Sequence, residues 1–335
     1  MVSYAARMNG TQKHQKCLVT GAAGFIGSHL VDRLLAGGAT VLGLDNLKLG
    51  RRENLAGAAG NPAFKFVEAD VSDAAALERA VAAESGSGPF EMAWHLAANS
   101  DIRAGVTDPD VDLRDTFLTT HQLLKVLRAL KIPRLAFASS SAVYGVHPGR
   151  MTEELGPLFP ISNYGAMKLA SEAAVSAALE AFLKRVWIFR FPNVVGSRST
   201  HGVIYDFARK LKKNPAELEV LGDGSQQKPY FHVSDLLDAM LFITETAAEA
   251  LNFFNIGTVG SGSTVRYIAE TVVRRQAPGA VIRYTGGSKG WVGDVPRFDY
   301  SIDKLQQLGW GPRLTSDQAV DRAVEEIVTE VGRAG

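Results

Sequence analysis

The chain has 335 residues, more than one hydrophobic core usually fills, so two lobes or a large domain with an appended one are expected. A composition of 46% hydrophobic and 21% charged residues is that of a soluble globular protein. The net charge of +1, with Lys and Arg scattered along the chain, argues against an electrostatic surface for nucleic acid or anionic lipid.

The start, MVSYAARMNGTQKHQK, lacks the apolar region of a secretory signal, so residues 1–15 are expected to be a disordered leader. No apolar run reaches the roughly 18 residues of a membrane span. The lone cysteine, Cys17, sits in the apolar run CLVT, which excludes an internal disulfide and reads as a core thiol in a reducing compartment. The expected location is the cytoplasm. No metal site is expected, because no His and carboxylate cluster has ligand spacing.

From residue 16 to about 191, short β-branched runs alternate with longer helical patterns. Strands are expected at KCLVT (16–20), TVLGLD (40–45), FKFVEAD (64–70), MAWHLAA (92–98), RLAFASS (134–140) and RVWIFRF (185–191). Between them lie the helical patterns FIGSHLVDRLLAG, DAAALERAVAA, DLRDTFLTTHQLLKVLRAL and YGAMKLASEAAVSAALEAFLK. This alternation predicts an α/β fold with a doubly wound parallel sheet, and the nearly continuous apolar strands fit burial on both faces. After about residue 192 the rhythm loosens. Residues 193–330 are expected to form a smaller mixed α/β lobe with helices VIYDFARKLKK, SDLLDAMLFITETA and TVRYIAETVVRR, while 253–257 rejoin the sheet.

TGAAGFIG (20–27) follows the first strand and opens the first helix, with Gly21, Gly24 and Gly27 spaced G-x-x-G-x-x-G. Glycines there allow a tight turn and let backbone N–H groups approach a pyrophosphate at the positive end of a helix. This predicts a Rossmann dinucleotide-binding domain over 16–192. Asp45, closing the second strand, is placed to accept hydrogen bonds from a ribose diol and favours NAD over NADP, although Arg51 and Arg52 leave room for a 2′-phosphate. Asp70, closing the third strand, has two readings: contact with the adenine, or the cap of the next helix.

The fifth strand ends in SSSAVYG (139–145), and SNYGAMK (162–168) opens the following helix. In a doubly wound sheet ligands sit at the carboxyl ends of the strands, which puts Ser140 and Ser141 at the mouth of the crevice. Tyr164 and Lys168 share one helical face. A nearby ammonium and a positive nicotinamide ring are expected to lower the tyrosine pKa, so that Tyr164 removes a hydroxyl proton while Ser140 holds the reacting oxygen. The plainer alternative is a packing aromatic beside a solvated lysine.

With these motifs in order, the chain from Lys16 resembles the extended short-chain dehydrogenase/reductase family, in particular NAD-dependent nucleotide-sugar epimerases of the UDP-glucose 4-epimerase type. TGAAGFIG, Asp45, HLAANSDIR, SSSAVYG, YGAMK, RFPNVVG, GDGSQQKPYFHVSD and GDVPRFDYSIDKLQQLGW carry the resemblance. It implies Ser140, Tyr164 and Lys168 as the catalytic set. It implies an NAD site of Gly21, Gly24, Phe25, Ile26, Gly27, Asp45, Asn46, Asp70, Val71, Leu96, Ala97 and Ala98, with Tyr164 and Lys168. Substrate contacts would come from Ser140, Ser141, Asn193, Lys228 and Arg297, with Tyr230 nearby. The expected reaction is epimerisation of a nucleotide sugar at C4 of a UDP-hexose through a transient 4-keto intermediate. Relatives of this kind are often dimers through the Tyr164 helix and the helix before the fifth strand, so a homodimer is expected.

Three departures matter. Dehydratases and sugar-acid decarboxylases of this pattern carry acidic residues between the catalytic Ser or Thr and the VYG tyrosine, where this chain has Ser141 and Ala142. Trp291 stands where many epimerases have a diphosphate-gripping arginine, a role open to Lys289 or Arg297. Thr116 replaces a common asparagine. His201 and His232 read as loop or packing residues. The rivals are a reductase, dehydratase or decarboxylase on the same scaffold, a non-catalytic dinucleotide sensor, and a redox enzyme for hydroxysteroids or other apolar alcohols.

Overall fold

The computed structural model of the protein describes residues 15–287 and 299–333. The expected leader and the positions Lys289, Trp291 and Arg297 lie outside the described residues. In chain order the elements are β1 (Lys16–Thr20), α1 (Phe25–Ala36), β2 (Thr40–Asp45), β3 (Phe64–Glu68), α2 (Ala74–Ala83), β4 (Met92–His95), α3 (Ala104–Thr107) and α4 (Pro109–Asp112). A π-helical turn (Leu113–Leu118) leads into α5 (Thr119–Ala129), β5 (Arg134–Ala138), α6 (Asn163–Ala181), β6 (Arg185–Arg190) and β7 (Asn193–Val195). Then come α7 (Val203–Lys213), β8 (Glu217–Val220), β9 (Gln227–Lys228), β10 (Tyr230–His232), α8 (Val233–Thr246) and β11 (Leu251–Asn255). β12 (Ser263–Thr264), α9 (Val265–Gln276), β13 (Val281–Tyr284), α10 (Asp303–Gln307) and α11 (Ser316–Arg333) complete the order.

Two compact units result. The first runs to Val143 and adds Ser162–Arg190 and Met240–Phe253. Its frame is a seven-stranded sheet in the order β11-β6-β5-β4-β1-β2-β3. The pairings β1–β2, β2–β3, β1–β4, β4–β5 and β5–β6 are parallel, as the alternating sequence predicts. Every residue of β1 and β4 is buried, which is why these strands read as apolar runs rather than alternating ones. Leu18, Leu42, Leu77, Leu123, Leu127, Leu135 and Val186 belong to the core that covers the sheet. The chain steps from β1 out to β2 and β3 and then returns to place β4 on the other side of β1, so the winding reverses between β1 and β4. Ligand crevices form at such a reversal.

Several strands stop short of their expected ends. β3, β4 and β5 finish at 68, 95 and 138 because the last residues of each run leave the ladder for the loops above it. The helix expected over 112–130 is interrupted. The Asn99 N–H takes the Asp115 carbonyl at 3.0 Å and the Thr116 hydroxyl at 3.3 Å, and the π turn opens at these residues.

The second unit holds Tyr144–Ile161, Phe191–Ala239 and the chain from Phe254. β7 pairs with β10 and β8 with β13, both parallel, while β9 and β12 are antiparallel. Its core gathers Phe207, Leu211, Leu218, Ile268, Val272, Val320 and Ile327 from α7, β8, α9 and α11.

Candidate active site

The parallel register lines up the carboxyl edge of the sheet. Thr20 is opposite both Leu44 and His95, so Gly21, Asp45 and Leu96 follow side by side. The loop after β1 is tightly constrained. A side chain on Gly21, whose φ is +71°, would meet the backbone N of Ala97 at 2.8 Å. A Cβ on Gly27 would lie 1.9 Å from the Gly21 carbonyl oxygen, so α1 can close on the loop only with glycine there. Gly24 caps α1 without any side-chain hydrogen bond, leaving the N–H groups of the first turn at Phe25 and Ile26 clear of a capping side chain. Such a cradle fits a dinucleotide pyrophosphate.

The Asp45 carboxylate organises the adjoining loop as well as facing the crevice. Its Oδ2 accepts the Ala23 N–H at 3.0 Å and its Oδ1 accepts the Leu47 N–H at 2.8 Å, while burial pushes its pKa up. Arg52, one of two candidates for a 2′-phosphate, is committed to Glu68 at 2.5 Å. Asn46 donates to Asp70 at 3.2 Å, and Asp70 also accepts the Ser72 N–H and hydroxyl. The capping alternative for Asp70 is wrong: Asp73 caps α2, accepting from Ala75 and Ala76. Val71 is buried behind this loop. Leu96 and Ala97 are tied to Thr20, and Ala98 continues the loop.

The same edge carries the second cluster. After β5 the chain turns at Ser140, whose Oγ accepts the Ala142 N–H at 3.2 Å, and Ser141 enters a 3₁₀ turn. Ser162 caps α6 by accepting the Gly165 N–H at 3.1 Å, which sets Tyr164 in the first turn of the helix. One turn on, buried Lys168 donates to the Ala138 carbonyl at 2.7 Å, with its Nζ 5.8 Å from the Tyr164 ring centroid and 4.9 Å from that of Phe137. Ser140 is a side-chain hydrogen-bonding neighbour of Tyr164. The structure therefore brings Ser140, Tyr164 and Lys168 together in one unit.

The electrostatics differ from the sequence expectation. Burial raises the Tyr164 pKa to about 12, the negative Asp112 adds to the rise, and the Ser140 hydroxyl opposes it. Burial also lowers Lys168 to about 7, opposed by Glu172 and Asp112. Among the protein's own groups, desolvation outweighs the helpful charges, and the ammonium alone does not bring the phenol down.

Sequence reasoning missed three groups. Glu172, one turn beyond Lys168, accepts from Ser139 at 2.5 Å and from Arg190 at 2.6 Å and 2.9 Å, pinning α6 to the ends of β5 and β6. Its i, i+4 spacing from Lys168 was a usable signal; Arg190 and Asp112 had none. Thr116, a departure without a chemical account from sequence, has a structural one here: its hydroxyl accepts the Asn99 N–H at 3.3 Å where the π turn opens.

In the second unit, Asn193 opens β7 as an exposed residue opposite Tyr230, and half-buried Lys228 lies in β9 opposite Ser263. His232 is a buried packing residue held between Ser234 at 2.8 Å and Glu326 at 3.2 Å.

The family described as the NAD dependent epimerase/dehydratase family matches residues 17–257. The UDP-glucose 4-epimerase of Mycolicibacterium smegmatis is 32% identical over 316 residues, covering 92% of this chain and 97% of that one. The UDP-glucose 4-epimerase of Thermus thermophilus, solved in complex with NAD, has a TM-score of 0.80 at 31% identity over 93% of this chain and 99% of that one. A dTDP-glucose 4,6-dehydratase from Streptomyces venezuelae, solved with NAD, reaches 0.83 at 28% identity over 95% and 98%. An epimerase and a dehydratase fit the backbone equally well, so the likeness of fold does not choose between their reactions. With the family pattern running from β1 to just beyond β11, and a relative above 30% identity along nearly all of its length, this chain belongs to the NAD dependent epimerase/dehydratase family of extended short-chain dehydrogenases/reductases, whose cofactor is NAD.

Proposed function

We propose that the protein is a nucleotide-sugar 4-epimerase acting on a UDP-hexose, with Tyr164 as its acid–base residue, Ser140 as the hydroxyl that orients the reacting oxygen and Lys168 as the neighbouring cation. The observation that carries the reading is the grouping of these three side chains at the strand ends, in the unit that also holds the glycine loop. NAD, when bound, supplies the oxidant for C4 and a positive ring. Against a phenol held at about 12 by burial, that ring is the further positive charge needed to favour the phenolate. Tyr164 then takes the proton of the 4-hydroxyl as C4 is oxidised, and returns it once the 4-keto sugar presents its other face. Lys168, fixed by the Ala138 carbonyl, holds its charge beside the phenolate.

One feature separates this reaction from its neighbours on the same scaffold. A dehydratase must expel water from the carbon next to the ketone and needs an acid to protonate the leaving hydroxyl. Ser141 and Ala142 supply no carboxyl in the turn after Ser140. Asn193, Lys228 and Arg297 are our candidates for holding the nucleotide, with Asp45, Asn46 and Asp70 on the dinucleotide side.

The test is incubation of the NAD-loaded protein with UDP-, GDP-, CDP- and dTDP-hexoses, followed by NMR of the sugar. Inversion at C4 of the UDP-hexose without net use of NADH is expected, and Tyr164→Phe should lower kcat by about 10²–10⁴-fold. A 4-keto-6-deoxy product, or NADH consumed in proportion to product, would overturn the reading.

The same reading takes the protein to be cytoplasmic and a homodimer through α6 and α5. Supporting it, Ala173 and Ala177 leave small side chains on the exposed face of α6, where a second helix can approach closely. Light scattering after size exclusion at micromolar protein should return twice the 36.0 kDa chain mass; a monomer would remove the dimer.

A further inference from the structure

Beneath the loops of the carboxyl edge lies a row of buried polar side chains that the acid–base chemistry does not use. Thr20 ends β1 and His95 ends β4, and the two are direct neighbours in the parallel register, so their side chains share one face of the sheet. The Thr20 Oγ is 2.7 Å from the His95 Nδ1, and the His95 Nε2 is 3.0 Å from the Thr120 Oγ on α5. Thr20 is 0% exposed and His95 and Thr120 are 1% each, so every polar hydrogen in the row needs an acceptor inside the protein.

That requirement orders the hydrogens. The Thr20 Oγ accepts the Ala97 N–H at 3.3 Å, and among the described residues the acceptor for its own hydrogen is Nδ1. Nδ1 is therefore the bare nitrogen, and the ring carries its hydrogen on Nε2. Nε2 donates to the Thr120 Oγ, whose hydrogen passes on to the Thr116 carbonyl at 3.2 Å. With the hydrogen on Nδ1 instead, the Thr20 hydroxyl would be a buried donor without an acceptor. Burial, with the charge of Lys168 adding to it, lowers the imidazole to about 3, which keeps the ring neutral at neutral pH.

Both ends of the row act on Ala97. At one end the Ala97 N–H is held by Thr20, and a Cβ on Gly21 would meet this same N at 2.8 Å, so the glycine loop and the 96–98 loop are in close contact. At the other end the Thr119 hydroxyl donates to the Thr116 carbonyl at 2.8 Å and lies 3.4 Å from the Ala97 carbonyl. We propose that His95 is a positioning residue of the NAD site: as the Nε2–H tautomer it joins Thr20 to Thr120 and fixes the 96–98 loop beside the glycine loop. The inference concerns the cofactor and does not depend on the epimerase reading.

Two measurements on the full chain test it. With ¹⁵N-labelled histidine, long-range ¹H–¹⁵N NMR of the wild type at pH 7 should show His95 as a neutral Nε2–H ring, its signal assigned through contacts with the Phe137 ring, 5.7 Å away between centroids. An Nδ1–H or doubly protonated ring overturns the proposal, and this arm needs no variant to fold. The second measurement is equilibrium titration with NAD, run beside thermal unfolding without NAD. Thr20→Val and His95→Leu should each raise the NAD Kd by about tenfold. His95→Asn, whose side-chain oxygen can accept from Thr20 in place of Nδ1, should raise it by less than about threefold. A merely structural role would lower the unfolding temperature and leave the Kd of the folded variants at the wild-type value. That result, or His95→Asn binding as weakly as His95→Leu, overturns the proposal.

Discussion

At the scale of single residues, a buried ion pair lies one helical turn beyond Lys168. Arg190 and Glu172 are 9% and 8% exposed and meet at 2.6 Å, with Ser139 filling another lone pair of the carboxylate. Removing one partner of such a pair leaves an uncompensated buried charge, which typically costs about 3–5 kcal/mol. Glu172→Gln should therefore destabilise the first unit by about that much in a urea titration, and a loss under about 0.5 kcal/mol would show that the pair is dispensable. Lys168 and Tyr164 were legible in the sequence because a short spacing after a serine-bearing strand end is local information. Arg190 and Asp112 were not, since each gains its role from a partner far along the chain: 18 residues to Glu172 for one, and 13 to Asn99 for the other. Charge in the interior is set by what the fold brings alongside, and the rise of the Tyr164 phenol to about 12 follows from burial that no spacing reports.

At the scale of elements, the reading succeeds where one force dominates. Five of the six strands of the alternating region are found because two-sided burial demands nearly continuous apolar runs, β3 at the sheet edge having no fully buried residue, and the start of α6 is found because Ser162 can cap it. It fails where hydrogen bonds from distant loops compete with the local pattern. The apolar period through 112–130 predicts one regular helix, yet Asn99 captures the Asp115 carbonyl and the backbone adopts a π turn before α5. That turn is more than an irregularity, because it packs on α6 and its Thr116 hydroxyl accepts the Asn99 N–H. Likewise two aspartates three residues apart, Asp70 and Asp73, compete for one helix start. Asp73 wins because Asp70 is already occupied by Ser72 and Asn46.

At the scale of the whole molecule, each unit has its own means of staying folded. The first is held by a sheet whose alternation is plain in the sequence; the second is tied by polar contacts between segments far apart, which leave no local pattern to read. Asn255 bonds Met151, Ser301 and Tyr144, and its own N–H goes to Glu153. Glu326 on α11 is a second tie. Burial opposes its ionisation, but hydrogen bonds from His232 and the Ser197 N–H, with Arg322 beside it, outweigh burial and hold the carboxyl at about 2. A folded-state pKa below the ordinary glutamate value of 4.5 means that Glu326 contributes stability which is present above pH 4.5 and lost as pH falls through about 2. At neutral pH that contribution is on the order of 3 kcal/mol. Glu326→Gln should accordingly unfold at lower temperature than the wild type at pH 7, and the gap should close as both are taken from pH 5 toward pH ~2. A gap of constant size over that range would mean that Glu326 ties the second unit through shape alone, with its charge irrelevant to acid stability.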